Sequence, residues 1–129
     1  MALSDGARID EFRRSNVGVL SNEQIVVATQ LDGSKWKDLL KKLRNEQGAN
    51  ATFDEVYLID DFVASGTTLL RFDEEEQSWT GKLVKFNNTL IEARAALSGA
   101  SAIADSARIH IHHYVASAYA ESLLSKLAE

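Results

Sequence analysis

The stretch FDEVYLIDDFVASGTTLLRFDEEE, residues 53–76, decides the fold. Glu55 to Ile59 is a short, mostly apolar run that ends in two adjacent carboxylates, Asp60 and Asp61. An apolar run of this length, closed by acids, is the pattern of a buried parallel strand that feeds a functional loop. Phe62 to Thr68 then supply small and hydroxyl-bearing residues, and TTLLRF (67–72) predicts the start of a helix. Asp73 to Glu76 read first as an acidic surface turn, with a poor extension of that helix or a Mg²⁺-side role as the alternatives.

In open α/β sheets, ligands bind outside the carboxyl ends of the strands, where this reading puts Asp60 and Asp61. A loop entering a helix aims backbone N–H groups at one point, and the positive end of the helix dipole reinforces them. Gly66 permits close approach because it has no Cβ. Ser65, Thr67 and Thr68 add hydroxyl donors. Each charge-assisted hydrogen bond contributes about 1.5–3 kcal/mol, so roughly three or four hold a phosphate monoester at micromolar strength before other costs. The acids repel phosphate. They suit hydroxyl donors such as a ribose diol, or a hydrated Mg²⁺. The residues therefore point to a sugar phosphate, with hydroxyls on the acids and phosphate in the loop. The plainer alternative is that the acids and hydroxyls are turn chemistry alone.

Outward from this stretch, GSKWKDLLKKLRNEQG (33–48) places Trp36, Leu39, Leu40 and Leu43 at helical spacing. Ser34 is the expected cap and Gly48 the expected stop. Lys37, Lys41, Lys42 and Arg44 form the opposite face, read first as a solvated face and second as a phosphate contact. A second long helix is predicted from Thr80 onward, with Leu83, Leu90 and Leu97 every seven residues and its end at Gly99. ARIHIHHYV (107–115) alternates, which predicts a strand. Ile109, Ile111, His113 and Val115 fall on a dry face, and Arg108, His110, His112 and Tyr114 on a wetter one. SAYAESLLSKLAE (117–129) closes as a helix with Tyr119, Leu123 and Leu127 on one stripe. Residues 1–20 read as loop. Ser21 with Gln24 offers a capping box, against the strand preference of Ile25 to Val27. Strands separated by helices indicate an α/β fold with a Rossmann-like parallel sheet, spread over residues 1–129 as one domain or as the C-terminal portion of one. The opening residues read as a cut, with an upstream part of the domain expected.

The 129 residues suffice for one domain with its own core. A net charge of −5 argues against broad nucleic-acid binding but leaves small anions open, because backbone N–H groups bind them. Zero cysteines exclude disulfides and thiolate metal sites, and fit a cytoplasmic setting. No apolar run reaches membrane-spanning length. His110 and His112 share a strand face and offer two metal ligands, with Asp105 or Glu121 as the nearest candidates for a third; the default is a half-exposed strand. A Ser/His/Asp nucleophile has the residues but no motif to place them.

VYLIDDFVASGTTLL (56–70) resembles the phosphoribosyl-pyrophosphate loop of type I phosphoribosyltransferases: an apolar strand, two acids, a few residues, then Ser or Thr, Gly, a small residue and Thr. The resemblance implies a transferase of the glycosyltransferase class that moves ribose 5-phosphate from phosphoribosyl pyrophosphate to an acceptor, in nucleotide metabolism. It implies Asp60 and Asp61 as the catalytic pair, holding the ribose hydroxyls directly or through Mg²⁺. It implies Val63, Ala64, Ser65, Gly66, Thr67 and Thr68 as the phosphate cradle. More loosely, the start and the loop together resemble phosphoribosyltransferase-like domains of bacterial conflict systems. Such transferases also carry an upstream pyrophosphate turn and a base-selecting hood, for which this sequence shows no motif. Arg8, Arg13 and Arg14 are the early basic cluster that would reach a pyrophosphate, with a solvated loop as the plain reading. A chain with the phosphate loop alone would serve instead as a sensor of a phosphoribosyl metabolite or nucleotide. A weaker third reading is a scaffold whose loop is vestigial. Two confident strands are few for such a sheet, so a homo-oligomer or a partner chain is expected to complete it.

Overall fold

A computed structural model describes residues 1–4, 8–21, 24–27 and 31–127. It is a mixed α/β structure. In chain order the elements are α1 (Ile9–Ser15), α2 (Gly33–Gln47), β1 (Phe53–Val63), β2 (Arg71–Asp73), β3 (Ser78–Thr80), α3 (Lys82–Ala96), β4 (Ile103–Ala116) and α4 (Ala118–Leu127). β1 and β4 pair in parallel, with α3 between them in sequence, so the expected strand–helix–strand unit is present.

The core lies where α2 and α3 cover one face of β1. Leu58 from β1, Trp36 from α2 and Phe86 and Ala93 from α3 are buried together. Leu83, Leu90 and Leu97 pack against them as their seven-residue spacing predicts. The helices touch closely enough that a Cβ on Gly33 would lie 2.8 Å from the Ala96 Cβ. Gly48 stops α2 at φ 108°, as expected. Its cap is Asp32 rather than Ser34: the Asp32 carboxylate accepts from the Lys35 N–H at 2.8 Å. No described helix is long and apolar enough to cross a membrane.

Four further expectations change. First, β1 does not end at Ile59. Its pairing with β4 runs on through Asp60↔His113 to Val63↔Ala116, so the acids lie within the strand and the loop begins at Ala64. Second, TTLLRF does not begin a helix. One turn forms, with Gly66 accepting from Leu69 and Leu70, and residues 71–73 then pair with 78–80 as a hairpin. Phe72 and Trp79 meet edge to face across it at 5.4 Å. The acidic turn between them forms as expected, with Asp73 accepting from the Glu75 and Glu76 N–H groups.

Third, the first twenty residues are not all loop. Ala2 bridges Val27 on one side and Ile59 on the other, both in parallel, and α1 follows. Burial drives this arrangement: Ala2 and Ile59 are enclosed, with Ile9 and Phe12 of α1 packed over them. Val27 sits in extended backbone, as its β-branched run favours. The Ser21 N–H donates to the Gln24 side-chain oxygen at 2.9 Å, half of the expected capping box; Asn22 and Glu23 lie outside the described residues. Fourth, the dry face of β4 is not dry. Ile109 and Ile111 are 49% and 43% exposed, because the helical cover reaches β4 only at Ile103 and Ala107. Tyr119 of the α4 stripe is also exposed, and Ala120 makes the buried contact; the side chains of Leu123 and Leu127 lie outside the description.

Candidate functional site

The site is built by three strand-like segments and two helix starts. Pairing of Met1 to Leu3 with Ile59 delivers Ser4 to the next residue of β1, Asp60. The Ser4 hydroxyl donates to Asp60 Oδ1 at 2.6 Å and lies 3.5 Å from Asp61 Oδ1. Asp60 Oδ2 receives the ammonium of Lys82, the first residue of α3, at 2.5 Å. Asp60 is 1% exposed. Burial pushes its carboxyl upward, but the hydrogen bonds from Lys82 and Ser4 and the Lys82 charge outweigh that and hold its pKa below the usual carboxylate range. Asp60 is therefore a buried carboxylate that stays ionised because it is paired. Asp61 is half-buried, and its Oδ1 accepts its neighbour's N–H, Phe62, at 2.9 Å.

His113 stands opposite Asp60 on β4. Burial lowers its pKa, with Lys82 and His112 acting the same way and Asp60 and Asp61 opposing. It is neutral at neutral pH.

The loop follows directly. Val63 is the buried last residue of β1, and its carbonyl accepts from Ser117 N–H at 3.0 Å. The Ser117 hydroxyl donates to the Ala64 carbonyl and accepts from Ala120 N–H, so it ties the loop to the start of α4. Ser65 and Thr67 hydroxyls bond to each other at 2.7 Å. Gly66 is buried at φ 77°, a conformation that glycine adopts freely. Thr68 and Leu69 turn their carbonyls onto the first N–H groups of α3, those of Lys82 and Leu83. The α3 N-terminus is thus capped by the loop itself. The N–H groups of Ser65, Gly66 and Thr68 donate to no partner among the described residues.

Asp60, Asp61 and residues 63–68, contiguous in sequence, lie at the C-terminal end of β1, and beside them stand Ser4, Lys82, His113 and Ser117, which the sequence reading did not assign to the site. One signal for Lys82 was present. A cation at the first position of a helix opposes the dipole, and such a placement calls for a nearby anion. Two of the three early arginines are engaged elsewhere. Arg8 pairs with Glu11, and Arg13 with Asp10 and the Ile25 carbonyl, within and beside α1. His110 stacks on Tyr57 and His112 meets Tyr114 edge to face; no group of three metal-ligating side chains forms among the described residues. Both Asp60 oxygens are engaged, Oδ1 by the Ser4 hydroxyl and Oδ2 by the Lys82 ammonium, so Asp60 is a poor direct ligand for Mg²⁺.

Comparison with protein-family models, with curated proteins and with solved structures found no match.

Proposed function

We propose that the chain is a phosphoribosyltransferase-like domain, with a Rossmann-like sheet, that binds phosphoribosyl pyrophosphate and transfers its ribose 5-phosphate unit to an acceptor. The observation that carries this reading is the adjacency of the ionised Asp60 and its neighbour Asp61 to a loop whose N–H groups at Ser65, Gly66 and Thr68 donate to no partner among the described residues. In it, Asp61, backed by Asp60, accepts from the ribose hydroxyls. Residues 64–68 take the 5′-phosphate, with Gly66 allowing the closest approach. The Lys82 ammonium lies beside the loop, since its own backbone N–H bonds to Thr68, and it offsets anionic charge there. Asp60 and Asp61 would hold a hydrated Mg²⁺ through its waters, and that ion would offset the charge of the leaving pyrophosphate. A cytoplasmic setting belongs to the same reading, because the cysteine-free chain needs no oxidising compartment.

Titration calorimetry with phosphoribosyl pyrophosphate, with and without Mg²⁺, tests this. Wild type is expected to bind in the micromolar range, and Asp61→Asn, which leaves the Asp60–Lys82 pair intact, to bind at least tenfold more weakly. A folded wild type that does not bind sinks the proposal.

The engagement of Arg8 and Arg13 within and beside α1 favours a second reading: a module that binds the phosphoribosyl group without turning it over. Pyrophosphate release across a panel of bases separates the two. Binding without release selects the sensor.

A further inference from the structure

Asp60 and Asp61 are neighbours on β1, and adjacent carboxylates stay ionised together most readily with a cation close by. This chain supplies one itself. The ammonium of Lys82 sits 2.5 Å from Asp60 Oδ2, and the Ser4 hydroxyl takes Oδ1 at 2.6 Å. A divalent ion enters the shell of Asp60 only by displacing one of them, at an almost wholly buried residue and against the repulsion of a fixed ammonium. Asp61 Oδ1 accepts from the Phe62 N–H, while its Oδ2 takes no partner among the described residues. One open carboxylate oxygen suits a hydroxyl donor.

Lys82 also belongs to the loop. Its backbone N–H donates to the Thr68 carbonyl at 3.1 Å, and that of Leu83 to Leu69 at 3.0 Å, so its side chain starts where the loop ends. The side chain is about one-quarter exposed. An ammonium has three donors, and Asp60 takes the one bond that Lys82 Nζ makes among the described residues. The others remain, on a residue tied to the loop that carries the unpaired N–H groups of Ser65, Gly66 and Thr68.

We propose that Lys82 is the resident cation of this site, standing where a divalent metal would otherwise meet Asp60, and that the site takes a sugar monophosphate such as ribose 5-phosphate in its metal-free form. The ammonium holds Asp60 with one donor and meets the 5′-phosphate with another, while the open oxygen of Asp61 accepts from the ribose hydroxyls. Lysine suits this task, because its compact charge binds phosphate without demanding a fixed fork geometry, and charge-assisted hydrogen bonds are roughly twice as strong as neutral ones. The proposal rests on the phosphoribosyl reading above and narrows it. Mg²⁺, touching the acids through its waters alone, belongs with the pyrophosphate, and the ribose 5-phosphate end needs none.

Titration calorimetry of the full chain with ribose 5-phosphate, once in EDTA and once in millimolar Mg²⁺, tests this. Wild type is expected to bind in both, with dissociation constants within about threefold of each other. Binding that needs Mg²⁺, or that tightens beyond this range with it, overturns the proposal. So does a chain that binds phosphoribosyl pyrophosphate but not ribose 5-phosphate. A folded chain that binds neither sinks the phosphoribosyl reading itself, and the proposal with it. Lys82→Gln removes the ammonium. It is expected to weaken metal-free binding at least tenfold, with millimolar Mg²⁺ recovering much of the loss, since Asp60 is then open to the ion. Lys82→Arg keeps the charge and is expected to bind without metal. A loss in Lys82→Gln that is the same with and without Mg²⁺ would leave Lys82 a structural role alone and overturn the proposal. The wild-type comparison decides whether or not Lys82→Gln folds.

Discussion

Asp60 and Lys82, 22 residues apart, close a 2.5 Å ion pair in which the carboxylate is almost wholly buried and the ammonium about one-quarter exposed. This pair joins the end of the core sheet to the first residue of α3. The strand that presents the proposed ligand site and the helix that covers the core are thus locked by the same contact.

Removing one partner leaves the other without its counter-charge. Lys82→Met strands a buried carboxylate, and the expected loss is about 2–4 kcal/mol, less than for a pair with both members fully buried. Urea unfolding measures it. Asp60→Asn/Lys82→Met is expected to recover much of the loss, because no charge then remains buried unpaired. A double variant as unstable as Lys82→Met alone would mean that the pair is not what holds α3 to the sheet.

Acid should weaken the fold in two stages. His113 has a lowered pKa in the folded chain, so the unfolded chain takes up the proton first. Its contribution is intact above the usual histidine value of about 6.5 and is lost as pH falls from there through the folded value. Asp60 also has a lowered pKa, so its contribution is present above the usual carboxylate value of about 3.9 and is lost as pH falls through the folded one. Melting temperature against pH is expected to decline first below neutrality and again in strong acid. His113→Gln should flatten the first decline and leave the second.

What the sequence made legible is what local pattern encodes. The strand of residues 55–59, the amphipathic helix carrying Trp36 and Leu40, and the leucine spacing of α3 each follow from periodicity within one segment. The acid pair and the loop fall together because they are contiguous. Ser4 was not legible, since it reaches Asp60 through the pairing of Met1 and Leu3 with Ile59, across more than fifty residues. The hairpin was missed because TTLLRF has helical spacing on its own, and the Phe72–Trp79 contact that overrides it lies beyond the acidic turn. The exposure of Ile109 and Ile111 was not legible either. Alternation says which residues share a face but not whether anything covers it.

Gly81 sits at φ 122°, and a Cβ there would lie 2.6 Å from the Leu69 carbonyl oxygen. That carbonyl accepts from Leu83 N–H and so caps α3. Gly81→Ala combines backbone strain with a clash against a group that cannot retreat without uncapping the helix. A loss of about 2–3 kcal/mol in urea unfolding is expected. Gly48→Ala, where no atom lies within 4 Å, should lose about 1 kcal/mol, from backbone conformation alone. Equal losses at the two positions would remove the Leu69 contact from the explanation.

The start of α2 gives the sharpest contrast between spacing and structure. Ser34 has the residue type and the place that a cap calls for, yet the Asp32 carboxylate accepts the Lys35 N–H, and Ser34 is already the second residue of the helix. A capping side chain replaced by alanine costs about 1 kcal/mol, and a carboxylate at the positive end of the helix adds a few tenths more. Asp32→Ala is therefore expected to lower stability by about 1–1.5 kcal/mol. Ser34→Ala should change it by less than about 0.5 kcal/mol, because alanine is the better helix former within the first turn. Urea unfolding of the two variants decides between the caps, and a larger loss at Ser34 would return the cap to the residue that spacing alone had chosen.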